Sequence, residues 1–294
     1  MPHGAAPASD PDCAISSALG VVGQGWTLLV VRDIAGGLTR FEQLQSSLGI
    51  PRKTLTDRLA LLVQQGVLQR QLYSEHPPRF EYLLTDAGRD LLPVLIALQD
   101  WGNQHVLGDG TLTASSTARS SETRRVQRLV GKAVPSLTLA TADGPLDPVD
   151  GWTVLYCYPG AFAPGSDSYP PGWSEVPGTR GCTLESTTYR DSHPDLLAAG
   201  AAVRGVSTQR PDQLSAFADH IGLPFPLLSD SDLALTAALR LPTFRIAGTH
   251  RLKRLSLLID PHRIIRAVQY PINDPAASVS EMLRLLTDTA QGSG

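Results

Sequence analysis

Apolar positions along this chain follow two different rhythms. Between residues 14 and 107 they recur every three or four positions, interrupted by one pair of short alternating runs. Between residues 134 and 290 short β-rich runs alternate with helical stretches. The first rhythm predicts a helical unit with a hairpin, the second a layered α/β unit. From Pro51 onward, Leu55, Leu59, Leu62 and Val63 share one helical face, with Pro51 suited to the first turn and Gly66 to the stop. Upstream, Thr39 is placed to cap a helix running through Leu48, and Gly49 supplies the turn between the two helices, a helix-turn-helix pattern. After Gly66, VLQRQLY alternates, SEHPPR turns and FEYLL alternates back, which predicts a hairpin directly behind the second helix. Thr85 with Asp86 opens a further helix. Its stripe of Leu91, Leu92, Leu95, Leu98 and Trp101 is wider than so small a unit needs for its own core and fits a dimer interface.

In the second rhythm, TVLYCYPG reads as a central strand buried on both faces and ended by Pro159 and Gly160. A long glycine- and proline-rich excursion follows before Cys182, at the strand end where open α/β sheets place their sites. CTLESTTYRDSHPDLLAAG then reads as a helix with Thr183 and Glu185 in its first turn. The Cys182 thiol therefore lies at a helix N-terminus, where exposed N–H groups and the helix dipole favour a thiolate, the nucleophile toward a peroxide O–O bond. Thr179 can bring a hydroxyl and Arg254 a guanidinium to that sulfur. Between the two rhythms, residues 108–132 are rich in Ser, Thr and Arg and read as a solvated linker, helical near its end. The expected division is 1–107, linker 108–132 and 133–294.

Composition narrows the function classes. With 294 residues, 42% hydrophobic, 18% charged and a net charge of −3, the chain is neither a disordered polar chain nor a basic nucleic-acid coat. The first 107 residues carry eight Lys/Arg against ten Asp/Glu, so DNA contact rests on a local cluster rather than on the total. That cluster is Arg52, Lys53, Thr54, Thr56 and Arg58 at the leading end of the second helix, with Arg79 on the hairpin. The longest apolar run, Leu91 to Leu98, is too short for a bilayer, and the first residues lack a signal pattern. Three scattered cysteines, Cys13, Cys157 and Cys182, build no disulfide framework and point to a reducing cytoplasm. His193, His220, His250 and His262 lack metal-ligand spacing and no phosphate-binding glycine loop occurs, so neither metal nor cofactor is expected.

Two resemblances follow from these residues. Cys13, GWTLLVVRDIAGGLTRFEQLQ, IPRKTLTDRLALLVQQGVLQRQLY, PPRFEYLLTDAGRDLLPVL and Trp101 resemble the HxlR-type winged-helix transcription regulators over about the first hundred residues. The resemblance implies a homodimer that binds double-stranded DNA, with residues 51–65 as recognition helix and 69–82 as wing. It also implies that Cys13, near the start of the first helix, is a thiol responsive to oxidants or electrophiles. A buried small hydrophobe is the other reading of that residue.

VLYCYPG, PGTRGCTLE, YRDSHPDLLAAGAAVRGVSTQ, LPFPLLSDSDLALTAALRL and RLSLLID resemble a peroxiredoxin of the alkyl hydroperoxide reductase type, a thioredoxin-like α/β/α fold, across residues 134–290. By position the resemblance makes Cys182 the peroxidatic cysteine, Thr179 the hydroxyl residue three before it, and Arg254 the arginine opening a strand. An ungapped register would instead put Ser166 at the nucleophile and Ala163 at the threonine, a dead enzyme. The register with a sixteen-residue insertion is preferred because CTLE and RD after Cys182 fit the family's helix. Its departures are Glu175 where the family has a proline, with Pro177 nearby, and Thr187 where a resolving cysteine would sit. Cys157 is expected to be a packed hydrophobe.

A sulfenic acid at Cys182 needs a second thiol: a small thiol, a thioredoxin-like protein, or Cys13. The expected protein is a redox-responsive DNA-binding regulator that reduces or senses hydroperoxides. The rivals are a peroxidase whose winged helix only dimerises it, and a regulator whose second half is inert and binds a small molecule.

Overall fold

A computed structural model describes residues 12–291 and divides the chain into two compact units, Met1–Leu95 and Ile96–Gly294. In the first, α1 (Ala14–Val22), α2 (Thr27–Ala35), α3 (Phe41–Leu48) and α4 (Arg52–Gln64) precede the antiparallel hairpin β1 (Leu68–Glu75) and β2 (Pro78–Leu84), then the single turn α5 (Asp86–Arg89). Leu55, Leu59 and Leu62 of α4 are buried with Val30, Val31 and Leu44, so the predicted apolar face is the face that packs. Gly49 takes the left-handed conformation (φ 63°) that turns the chain from α3 into α4. The start of α3 differs from expectation. Arg40, not Thr39, is the N-cap, and its N–H donates to the Gln43 side chain (3.0 Å), while the Thr39 carbonyl accepts from Tyr82 N–H (2.8 Å). Thr39 thus ties α3 to the hairpin, because its backbone is claimed by strand β2 before the helix begins.

Helix α6 (Leu92–His105) contains the boundary between the units. Of the predicted stripe, Leu92 is buried, whereas Leu98 and Trp101 stay 50% and 59% exposed. Beyond α6, residues 108–132 are anchored at a few buried positions, while many of their other side chains stay exposed. Ala114, Glu122, Thr123 and Val126 are buried, and α7 (Ser121–Gln127) is capped by the Ser120 hydroxyl. The Ser/Thr content that suggests a linker is spent on internal hydrogen bonds, such as Thr123 to the Thr117 carbonyl (2.8 Å).

The second unit is built on a seven-stranded sheet from β3 (Leu139–Thr141), β4 (Gly144–Leu146), β5 (Trp152–Cys157), β6 (Ala201–Ser207), β7 (Leu227–Ser229), β10 (Leu255–Ile259) and β11 (Ile265–Gln269). Its order is β11-β10-β5-β6-β7-β3-β4, with β5, β6 and β7 parallel and β10 antiparallel to β5. The hairpin β8 (Thr243–Ile246) and β9 (Thr249–Leu252) stands apart from it. Helices α8 (Cys182–Asp191), α9 (His193–Ala198), α10 (Pro211–Ile221), α11 (Ala234–Leu239) and α12 (Pro275–Gln291) complete the unit.

Strand β5 is buried on both faces as its composition predicts. Val154 and Tyr156 enter one apolar cluster, Leu155 and Cys157 the other. The helix predicted from Cys182 through Gly200 is two helices. Pro194 in the first turn of α9 has no N–H to continue α8, which ends at Asp191. Among the described residues no single helix is long and apolar enough to cross a membrane.

Candidate active site

The peptide chain leaves β5 through Tyr158, Pro159 and Gly160 and reaches α8 by the long excursion. An aromatic chain fixes this insertion: Phe162 meets Tyr169 edge-on (5.0 Å), Tyr169 meets Trp173 (5.3 Å), and Trp173 meets Phe244 (6.2 Å). Asp167 adds polar anchors to Arg210 (2.8 Å) and Gln213 (2.5 Å). Ser166 lies exposed in this loop with its hydroxyl on the Ala163 carbonyl (2.7 Å).

Cys182 is the first residue of α8, behind Gly181 in the left-handed region (φ 99°), and is only 3% exposed. Arg254, immediately before β10, donates from Nη2 to Cys182 Sγ (3.3 Å), from the same nitrogen to the Arg180 carbonyl (3.1 Å) and from Nη1 to the Gly178 carbonyl (3.3 Å). Its Nε is paired with Glu185 Oε2 (2.8 Å) one turn into α8. The guanidinium is thus held by the loop on one side and by a carboxylate on the other. Thr179 is placed differently from the sequence expectation. Its hydroxyl donates to the Trp173 and Val176 carbonyls (2.8 Å each), and it is the Thr179 carbonyl that accepts from the Cys182 thiol (3.5 Å). The hydroxyl proton stabilises the 3₁₀ turn of the insertion rather than the sulfur.

Electrostatics at the sulfur oppose one another. Burial pushes the Cys182 thiol up and the Glu185 carboxylate pushes it further, while Arg254 and a Gly160 N–H hydrogen bond pull it down. Burial wins, so the thiol stands above its ordinary value, against the depressed thiol that the helix N-terminus alone suggests. Glu185 is itself pushed up to about 7 by complete burial, against the pull of Arg254. Two acids therefore compete for one cation. The signal for Glu185 was present in CTLE; its competition with the thiol was not, because it depends on how far both are desolvated. Tyr156, Tyr158 and Tyr189 line the same cluster, with Tyr156 stacked on Tyr189 at 4.3 Å. Cys157, fully buried in the cluster across the sheet, has its thiol pushed well up by burial. Among the described residues no group of His, Cys, Asp and Glu could hold a metal ion.

Residues 111–117 lie against the loop that carries the site. Ala114 N–H donates to the Pro177 carbonyl (2.8 Å), and a side chain at Gly178 (φ 90°) would come within 2.8 Å of Ser115 N. Lys253, next to Arg254, reaches the Ser115 carbonyl (3.3 Å) and Glu122 (3.0 Å).

In the first unit, Arg52, Lys53 and Thr56 are exposed along α4, with Thr54 and Arg58 half-buried. Arg52 stacks over Phe41 (4.8 Å), Lys53 lies 3.5 Å from Asp57, and the Thr56 hydroxyl donates to the Arg52 carbonyl (3.0 Å). Arg79 is exposed where β2 begins. On the hairpin the Arg70 guanidinium stacks over Phe80 (4.1 Å). Cys13 is the N-cap of α1, its sulfur accepting from Ser16 N–H (3.4 Å), and is only partly buried.

These features define a winged helix-turn-helix unit followed by a thioredoxin-like unit. The HxlR-like helix-turn-helix family matches residues 21–109 and the AhpC/TSA family residues 173–268. An uncharacterized HTH-type transcriptional regulator of Mycobacterium bovis is 46% identical over 93 residues, covering 32% of this chain and 59% of its own length. A similar regulator of Synechocystis is 41% identical over 92 residues, covering 31% of this chain and 68% of the relative. The crystal structure of peroxidoxin BcpB from Mycobacterium tuberculosis superposes with a TM-score of 0.44 at 25% identity, over 53% of this chain and 95% of that one. The chain spans 59% of the length of the mycobacterial regulator it matches. The chain belongs to the HxlR-like helix-turn-helix family through its first unit and carries an AhpC/TSA-type peroxiredoxin domain in its second.

Proposed function

We propose that this protein is a redox-responsive DNA-binding regulator with thiol-peroxidase chemistry at Cys182. The observation that carries the reading is the Arg254 guanidinium 3.3 Å from the sulfur at the first residue of α8. In the reaction the Cys182 thiolate attacks one oxygen of a hydroperoxide and forms an S–O bond. The O–O bond breaks, and the departing alkoxide or hydroxide takes a proton to leave as alcohol or water. Arg254 stabilises the thiolate and the charge that develops on the leaving oxygen. An external thiol then reduces the sulfenic acid.

DNA contact is assigned to Arg52, Lys53, Thr54, Thr56 and Arg58 on α4 and to Arg79 on the hairpin, in a homodimer. Coupling has a physical route in the packing of residues 111–117 on the loop 177–181, since any rearrangement of that loop on oxidation disturbs the segment that follows α6. The test is peroxide consumption with a thiol reductant, together with gel shifts on the protein's own upstream DNA with and without peroxide. Cys182→Ser is expected to abolish consumption and the oxidant response of the gel shift. A full oxidant response in both Cys182→Ser and Cys13→Ser would refute redox coupling, and absence of any DNA shift would leave a peroxidase that uses its winged helix only to dimerise.

A further inference from the structure

Cys182 has no partner thiol in its own unit. Cys157 is fully buried, and the alternation of β5 puts it in the apolar cluster across the sheet from the one that holds Cys182. Thr187 occupies the next turn of α8 and donates its hydroxyl to Thr183 and Leu184 carbonyls (3.0 Å each). Beside the site lies a cavity of about 350 Å³ whose wall includes Ser115, Gly178, Arg180, Arg254, Asn273 and Pro275. No carboxylate lines it, whereas two guanidinium side chains do. Arg254 is committed to Glu185 and the sulfur, but Arg180 is exposed and makes no ion pair among the described residues. Gly178 and Arg180 of this wall belong to the loop that delivers Cys182 to α8, in which Gly178 and Gly181 are both at positive φ. Arg254 both lines this cavity and donates to Cys182 Sγ (3.3 Å), so the sulfur lies one side chain behind the cavity wall.

Resting on the peroxidase reading above, we infer that this cavity docks a small thiol bearing a carboxylate, with Arg180 pairing the carboxylate, and that such a thiol resolves the oxidised Cys182. A cavity of this size suits a molecule of a few residues' bulk and not a protein surface. A free guanidinium in a wall without acids selects for an anion. The chemistry balances without any other reagent. The thiolate R–S⁻ attacks the sulfur of Cys182–S–OH, the S–O bond breaks, and the hydroxide takes a proton to leave as water, giving Cys182–S–S–R. A second thiolate attacks the R-side sulfur, releasing R–S–S–R and the Cys182 thiolate. The two thiols give up the two electrons that reduce the hydroperoxide.

The experiment uses the full chain and two probe thiols of similar size, 3-mercaptopropionate with a carboxylate and 2-mercaptoethanol without one, each at saturating peroxide. Arg180→Ala is expected to lower kcat/KM for 3-mercaptopropionate about tenfold more than for 2-mercaptoethanol, with Arg180→Lys recovering part of the loss. The difference between the two thiols is expected to shrink as salt is raised. Intact-mass measurement is expected to find the mercaptopropionate adduct on Cys182. Equal losses with both thiols would overturn the docking proposal, as would turnover that disappears in Cys13→Ser. No peroxide consumption by the unsubstituted protein with either thiol would bring down the peroxidase reading itself, a failure distinguishable from the loss of selectivity.

Discussion

One cation serves two acids at the centre of the second unit. Arg254 is 2.8 Å from Glu185 and 3.3 Å from Cys182, and all three side chains are buried. A buried guanidinium compensates one negative charge well, so ionising either acid raises the cost of ionising the other. With Glu185 pushed up to about 7, its carboxyl is largely protonated below that pH and leaves the guanidinium to the sulfur. Above it the carboxylate competes and the thiol is driven up. Glu185→Gln keeps an acceptor for Nε and removes the competing charge. The pH midpoint for alkylation of Cys182 by iodoacetamide is therefore expected to fall in this variant, read by intact mass across pH 5–10. A midpoint that stays or rises would show that Glu185 does not compete for Arg254.

At the scale of elements, the loop before α8 is held by contacts from three directions: the aromatic chain of the excursion, the Arg254 hydrogen bonds and the irregular segment 111–117. Gly178 is where the last of these comes closest, and its left-handed backbone leaves no room for a Cβ beside Ser115 N and Ala114 C (2.8 and 2.9 Å). Gly165 in the same excursion has a similar backbone (φ 78°) but open space around it. Gly178→Ala is expected to destabilise the unit by about 1–3 kcal/mol more than Gly165→Ala, which isolates the clash from the backbone strain common to both. Denaturant midpoints of the two variants compare them directly. Equal midpoints would mean that segment 111–117 gives way at little cost and is a poor conduit for any signal.

Over the whole molecule, two units of different architecture are linked through α6 and the packed segment that follows it. On α6, Leu98 and Trp101 expose apolar surface that nothing in their own unit covers. In the homodimer proposed above, burying such a stripe between two copies would remove it from water. Leu98→Asp with Trp101→Asp is expected to convert that proposed dimer to monomers in sedimentation velocity. An unchanged sedimentation coefficient would show that this stripe is not a contact between copies.

The local pattern of residues carried a large part of this protein. The spacing of Leu55, Leu59 and Leu62 specified α4 and its buried face, the alternation after Gly66 specified the hairpin, and the apolar run around Tyr156 specified a strand buried on both sides. Each depends only on which faces of a short segment can leave water. The start of α8 at Cys182 was legible from the polar first turn that Thr183 and Glu185 give it. Tertiary structure alone decided what the Thr179 hydroxyl bonds, that Ser/Thr-rich residues 108–132 are anchored by Ala114, Glu122, Thr123 and Val126, and that Arg254 divides its charge between a thiol and a carboxylate 69 residues away. Those outcomes sum contacts and desolvation over segments far apart in sequence, and no periodicity within a single segment encodes them.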